Sequence, residues 1–151
     1  MLGIRASVFL VAIATLLSGC GGGGACDFDS RLRERAGAGA VNCGHVVVGA
    51  SAVAVNQCVA DQTARAAPFY ARYDVQGTDS SVAYGVVRSA QGQSSVWFFD
   101  SDPSGGSNVG AHVAQTVCGG DPPLQVAADP NTSSVPVSCT VAATTTVICG
   151  G

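Results

Sequence analysis

The chain has 151 residues, 47% of them hydrophobic and only 11% charged, with a formal net charge of -3. That balance excludes a disordered polyelectrolyte, which needs low hydrophobicity and high charge, and the negative sign, with arginines clustered only at Arg31, Arg33 and Arg35, excludes a nucleic-acid footprint. All seven basic residues are arginine, so Schiff-base and pyridoxal chemistry is excluded, as is a phosphate-binding loop, because Ala50 follows the G-x-x-x-x-G of Gly44–Gly49 where that loop needs lysine.

Residues 1–19 read as an export signal. Arg5 supplies the positive start, and Ala6 to Leu17 form an apolar run shorter than a bilayer span. The run ends in Leu17-Ser18-Gly19-Cys20. At all four positions this resembles the lipobox of bacterial lipoproteins. The resemblance covers the first twenty residues. It implies that Cys20 is diacylated on sulfur, that the peptide before it is removed, and that the new amino terminus is usually acylated as well. Several acyl chains meet the requirement for stable membrane anchoring. Residues 20–25 would then be the lipidated cysteine and a glycine tether, Gly21 to Gly24. Gly21 in second place is compatible with sorting to the outer membrane.

Residues 26–151 read as one disulfide-rich domain. Cys26, Cys43, Cys58, Cys118, Cys139 and Cys149 are an even set in an exported chain, which predicts three disulfides. Spacing leaves the connectivity open, except that a short strand followed by a returning helix would bring Cys43 and Cys58 within bridging distance. No C-x-x-C pair is present to suggest structural zinc.

In chain order, Asp27 to Gly37 predicts a short helix capped by Asp29 or Ser30, with its three arginines on a solvated face. His45–Val48 predicts a short strand. Ser51 to Ala66 predicts the main helix, with Ala52, Val55, Cys58, Val59, Gln62 and Ala66 on one face and Pro68 beyond its end. From Phe69 the period becomes two: Phe69, Ala71, Tyr73 and Val75 point one way, and Tyr70, Arg72, Asp74 and Gln76 the other. Further strands follow over 82–89, 95–100 and 109–117. The Pro- and Cys-rich tail predicts irregular chain and a β-hairpin of 135–141 with 144–149. Asn131-Thr132-Ser133 matches a glycosylation sequon, discounted as chance. The expected fold is α+β: one main helix packed on an antiparallel sheet of about four strands, with a disulfide-braced C-terminal hairpin. In Val96 to Phe99 both faces of a strand are apolar, so the face that the helix leaves open is expected to meet the tail, the alternative being a partner on an open binding patch.

The stretches PFYARYDVQGTDS and FFDSDPSGG resemble a group of uncharacterised cysteine-containing lipoproteins of GC-rich bacteria, a resemblance that carries no site. The order of helix then sheet is loosely similar to cystatin-like domains, without a motif to support it.

Asp100, Asp102 and Ser104, with Gly105, approximate the opening of a calcium loop. Ala111 stands at the twelfth position, where such a loop needs a bidentate glutamate, and Pro103 with its neighbouring glycines accounts for the segment as a turn. His45 and His112 lie far apart in sequence, each in an expected strand, and read as half-buried structural groups. Meeting in space, they could bind metal or act as a base with aspartate or serine, and His112 held beside His45 or an aspartate in a cleft would carry an enzyme. Gly49-Ala50-Ser51 is not a nucleophile elbow, since Val53 replaces the closing glycine. The expected function is therefore a non-catalytic, membrane-anchored envelope lipoprotein without a cofactor, binding a protein, glycan or small ligand or serving structurally. The first alternative is a disulfide-braced inhibitor of a protease or other hydrolase, displaying Asp121-Pro122-Pro123 or residues 100–106. An enzyme is the second.

Overall fold

The computed structural model describes residues 26–105, 110–126 and 137–150. The export signal, Cys20, the glycine tether, Gly106 at the end of the aspartate loop and the Asn131 sequon lie outside them. Along the chain run α1 (Phe28–Ala36), β1 (Val41–Val46), α2 (Val53–Ala64), β2 (Phe69–Val75), β3 (Val82–Arg88), β4 (Ser94–Asp100), β5 (His112–Val126) and β6 (Val137–Cys149). The strands form one sheet in sequence order. β1 pairs parallel with β2 and every later neighbour is antiparallel.

This overturns the expected single helix on four antiparallel strands. The sheet is mixed, has six strands and dominates the fold, and there are two short helices rather than one main helix. Two causes account for the difference. The first strand begins at Val41 rather than His45 and is parallel to its neighbour. Parallel neighbours need a crossover, and α2 is that crossover. The second cause lies in the tail. Gly119 pairs with Val141 and Leu124 with Cys139, so four residues of β5 face Thr140 alone. This wide bulge absorbs Pro122 and Pro123, which on sequence break the strand. The Thr140 hydroxyl donates to the Pro122 carbonyl at 2.6 Å across it. The expected 135–141/144–149 hairpin is therefore replaced by β5 with β6.

α1 buries Phe28, Leu32 and Ala36, one helical stripe. These pack on Ala83, Val87, Trp97 and Val113. Asp27, rather than Asp29 or Ser30, caps the helix: its carboxylate accepts from the Ser30 amide at 3.2 Å and the Ser30 hydroxyl at 2.6 Å. The Ser30 hydroxyl first, and the amide with it, hold the Asp27 carboxyl below its ordinary range. A Cβ at Gly85 would stand 2.8 Å from Leu32 Cδ1, so glycine is what lets α1 settle on β3. α2 lies on the opposite face with Ala52 and Val59 against Phe69, Ala71, Tyr73 and Val86. The far end of the β5–β6 hairpin joins that cluster through Leu124 and Val137. The face expected to be closed by the tail is thus closed by α1.

The six domain cysteines form three pairs: Cys26–Cys149, Cys43–Cys58 and Cys118–Cys139, with Cα separations of 6.4, 5.5 and 5.0 Å. Three disulfides point to an oxidising, extracytoplasmic environment. Among the described residues no helix is long and apolar enough to cross a membrane.

Candidate functional site

The sheet alternation places Arg72 and Asp74 on the α1 side of β2, two residues apart on one face. β1 brings His45 into register with Arg72. α1 brings Asp29 over the same spot. Arg72 Nε donates to Asp74 Oδ1 at 2.7 Å, and an Arg72 terminal nitrogen donates to Asp29 Oδ2 at 3.0 Å. Its guanidinium lies 5.7 Å from the Phe28 ring centroid, a cation–π contact. Burial pulls the Arg72 pKa down, but the hydrogen bonds and charges of Asp74 and Asp29 outweigh it, and the net shift is upward. Arg72 is therefore a permanent cation matched by two carboxylates.

Asp74 uses its other oxygen on His45 Nε2, at 2.8 Å. A carboxylate accepts, so Nε2 is the donor, and in the imidazole tautomer that fits this bond Nδ1 is an acceptor. The His45 side chain is 43% exposed, so water reaches the imidazole. Beside it runs a shallow groove of about 150 Å³ lined by Asp29, Arg33, Asn42, Gly44, His45, Tyr70 and Arg72. A second groove, of about 250 Å³, flanks Arg72 and Asp74 toward Gln76 and Ser80. Both are below the ~300–1,000 Å³ of pockets that enclose a whole ligand. Arg33 makes no ion pair among the described residues, whereas Arg31 pairs with Glu34 and Arg35 reaches Gln93. The first groove therefore has one cation outside any ion pair among the described residues, an oriented imidazole and a phenol, and no Ser, Thr or Cys in its lining.

The other sequence-predicted residues stand elsewhere. Asp100 ends β4 and its Oδ1 accepts from the Asp102 amide at 2.9 Å; the Ser104 hydroxyl reaches Asp102 Oδ1 at 3.5 Å. Three further bonds knit the loop to itself and to Ser81, including Gly105 N–H to the Asp102 carbonyl. No group of three metal-ligating side chains occurs among the described residues. His112 lies on β5 opposite Asp100, with β2, β3 and β4 between its strand and that of His45, so the two histidines do not meet. Asp121 and Pro122 stand exposed on the β5 bulge beside the Cys118–Cys139 bridge. The His45–Asp74 pair was missed on sequence: the alternation that sets Arg72 and Asp74 on one face is legible, but the parallel partner that brings His45 to them is not. The chain matches no family model, no curated protein and no solved structure.

Proposed function

We propose that this chain is an exported, lipid-anchored, non-catalytic binding module, tethered through Cys20 to the envelope and to the outer membrane in particular. Its receptor site is the groove between α1 and β1, and it takes a small anionic group displayed by an envelope protein, a glycan or a free small ligand. The observation that carries this is Arg33: a groove-lining arginine without an ion pair among the described residues, next to a water-accessible imidazole and a guanidinium already neutralised by its own carboxylates. Arginine's fork suits carboxylate and phosphate groups. Affinity capture from envelope extract with the wild-type chain and with Arg33→Ala tests it. A ligand retained by the first and lost by the second is expected; equal retention removes the groove from the proposal. Anchoring is tested separately by Cys20→Ser, which should move the protein from the detergent phase to the aqueous phase and abolish fatty-acid labelling.

A second reading, acid–base catalysis, is favoured by the His45–Asp74 geometry alone. A carboxylate-oriented imidazole with a free Nδ1 is a general base in form. The groove holds no Ser, Thr or Cys to serve as its nucleophile, so the base would act on water. Under this reading His45→Ala lowers hydrolysis of an ester or glycoside substrate by ~10²–10⁴-fold; a flat panel of such substrates with the wild-type chain discards it.

A further inference from the structure

The two edges of the sheet are unequal. β1 is six residues long, carries His45 and has its pairing interrupted between Asn42 and Gly44. β6 is thirteen residues long, and residues 141–147 are exposed without a break. From Thr140 to Ile148 it contains no charge and no proline, two of the devices that keep a sheet edge from pairing. Along such a strand every second residue turns its N–H and C=O away from the inner neighbour, and only another extended backbone satisfies a row of that period. Bulges at Ala143 and Ile148 bend the strand at both ends and leave Thr144–Val147 as the regular stretch.

We infer that two copies of this chain pair antiparallel through Thr144–Val147. Identical antiparallel strands match residues of the same parity, so the two-fold axis passes through one residue and its own copy. With the axis at Thr145, Thr145 faces Thr145 and Thr144 faces Thr146, while Val147 comes beside the bulged Ala143. Each regular pair is Thr on Thr, and no like charges oppose each other. The Thr145 hydroxyl is already fixed by the Thr116 hydroxyl at 2.9 Å, so its side chain is ordered before the second copy arrives. The pairing makes one continuous twelve-stranded sheet from two six-stranded ones.

The experiment is light scattering of the exported, oxidised chain carrying Cys20→Ser, so that acyl chains take no part in association, over a concentration series. The mass should rise toward twice the monomer. Thr145→Lys sets lysine against lysine across the axis, and Thr145→Glu sets glutamate against glutamate; each should weaken association about tenfold or more. Mixing the two variants should restore the dimer, which a misfolded variant would not do, and each should melt close to the wild type because the residue is exposed. Thr146→Lys sets lysine against Thr144 rather than against itself, so it should weaken association less than Thr145→Lys does. A wild-type chain that remains monomeric up to about 1 mM, or Lys and Glu variants that associate as the wild type does, overturns the inference.

Discussion

Tyr73 carries its hydroxyl beneath α2, donating to Asn56 Oδ1 at 2.9 Å, and both residues are buried. Burial pushes the phenol pKa far above its ordinary value. A pKa raised on folding contributes stability that is present below the unfolded value near 10 and is lost as pH rises through the folded one. In an ultraviolet titration Tyr73 should therefore ionise only with unfolding. A Tyr73 phenol that ionises at the ordinary value while the chain is still folded would contradict this. Tyr73→Phe removes the partner of Asn56, whose Nδ2 already lacks one among the described residues. It should cost about 1–3 kcal/mol in a denaturant titration, the usual penalty for a stranded buried acceptor. Arg72→Lys is the second test at this scale. A lysine supplies a point charge where Arg72 forks to Asp74 and Asp29. The site is partly open to solvent, so screening keeps the expected loss near about 1 kcal/mol. An unchanged midpoint would mean that the pairs contribute nothing to folding. Of this cluster, the alternation of β2 was legible from sequence, because period two is a local property. The partners of Arg72 and Asp74 were not, because Asp29 and His45 reach them through tertiary packing that no local pattern encodes.

At the scale of elements, the close approach of α1 to β3 hangs on Gly85. Any Cβ there meets both Leu32 methyls and the Phe28 ring. Gly85→Ala should lift α1 off the sheet, at about 1–3 kcal/mol for overpacking, and Leu32→Ala in the same chain should recover part of that loss by making room. Losses that simply add would show that Gly85 and Leu32 do not share a contact. β2, β3 and β4 were legible to within a residue or two, since each alternates between two covered faces. The error in the fold came from direction and continuity. A four-residue apolar stretch around His45 announces a strand without saying that it runs parallel to the next. Gly119 to Pro123 announce a break, yet a bulge carries the pairing past them. Once α2 is a crossover on one face, the second apolar face of β3 and β4 has to be met from elsewhere, and α1, read on sequence as a solvated arginine helix, supplies the cover with its Phe28, Leu32 and Ala36 stripe.

At the scale of the whole molecule, the three disulfides close loops of very different length. Cys26 and Cys149 are separated by 123 residues, Cys118 and Cys139 by 21, and Cys43 and Cys58 by 15. A cross-link limits the unfolded chain more as its loop grows, about 3 kcal/mol for a 15-residue loop and about 4.7 kcal/mol for a 100-residue loop. Cys26–Cys149 also ties the entrance of α1 to the end of β6, so both ends of the described domain are held at one point beside Phe99 and Val113. The double variant Cys26→Ser/Cys149→Ser should therefore lose about 5 kcal/mol, and Cys43→Ser/Cys58→Ser about 3 kcal/mol. Replacing both cysteines of a bridge leaves no thiol to exchange with the remaining two. The variant without the long loop should also show a steeper denaturant dependence, because its unfolded chain expands further and exposes more surface. Equal losses for the two variants would mean that the bridges act through the native contacts they hold, with α1 and β6 contributing no more than β1 and α2. A larger loss and a steeper slope for the Cys26 and Cys149 variant would instead identify the closure of the two chain ends as the strongest single constraint on folding.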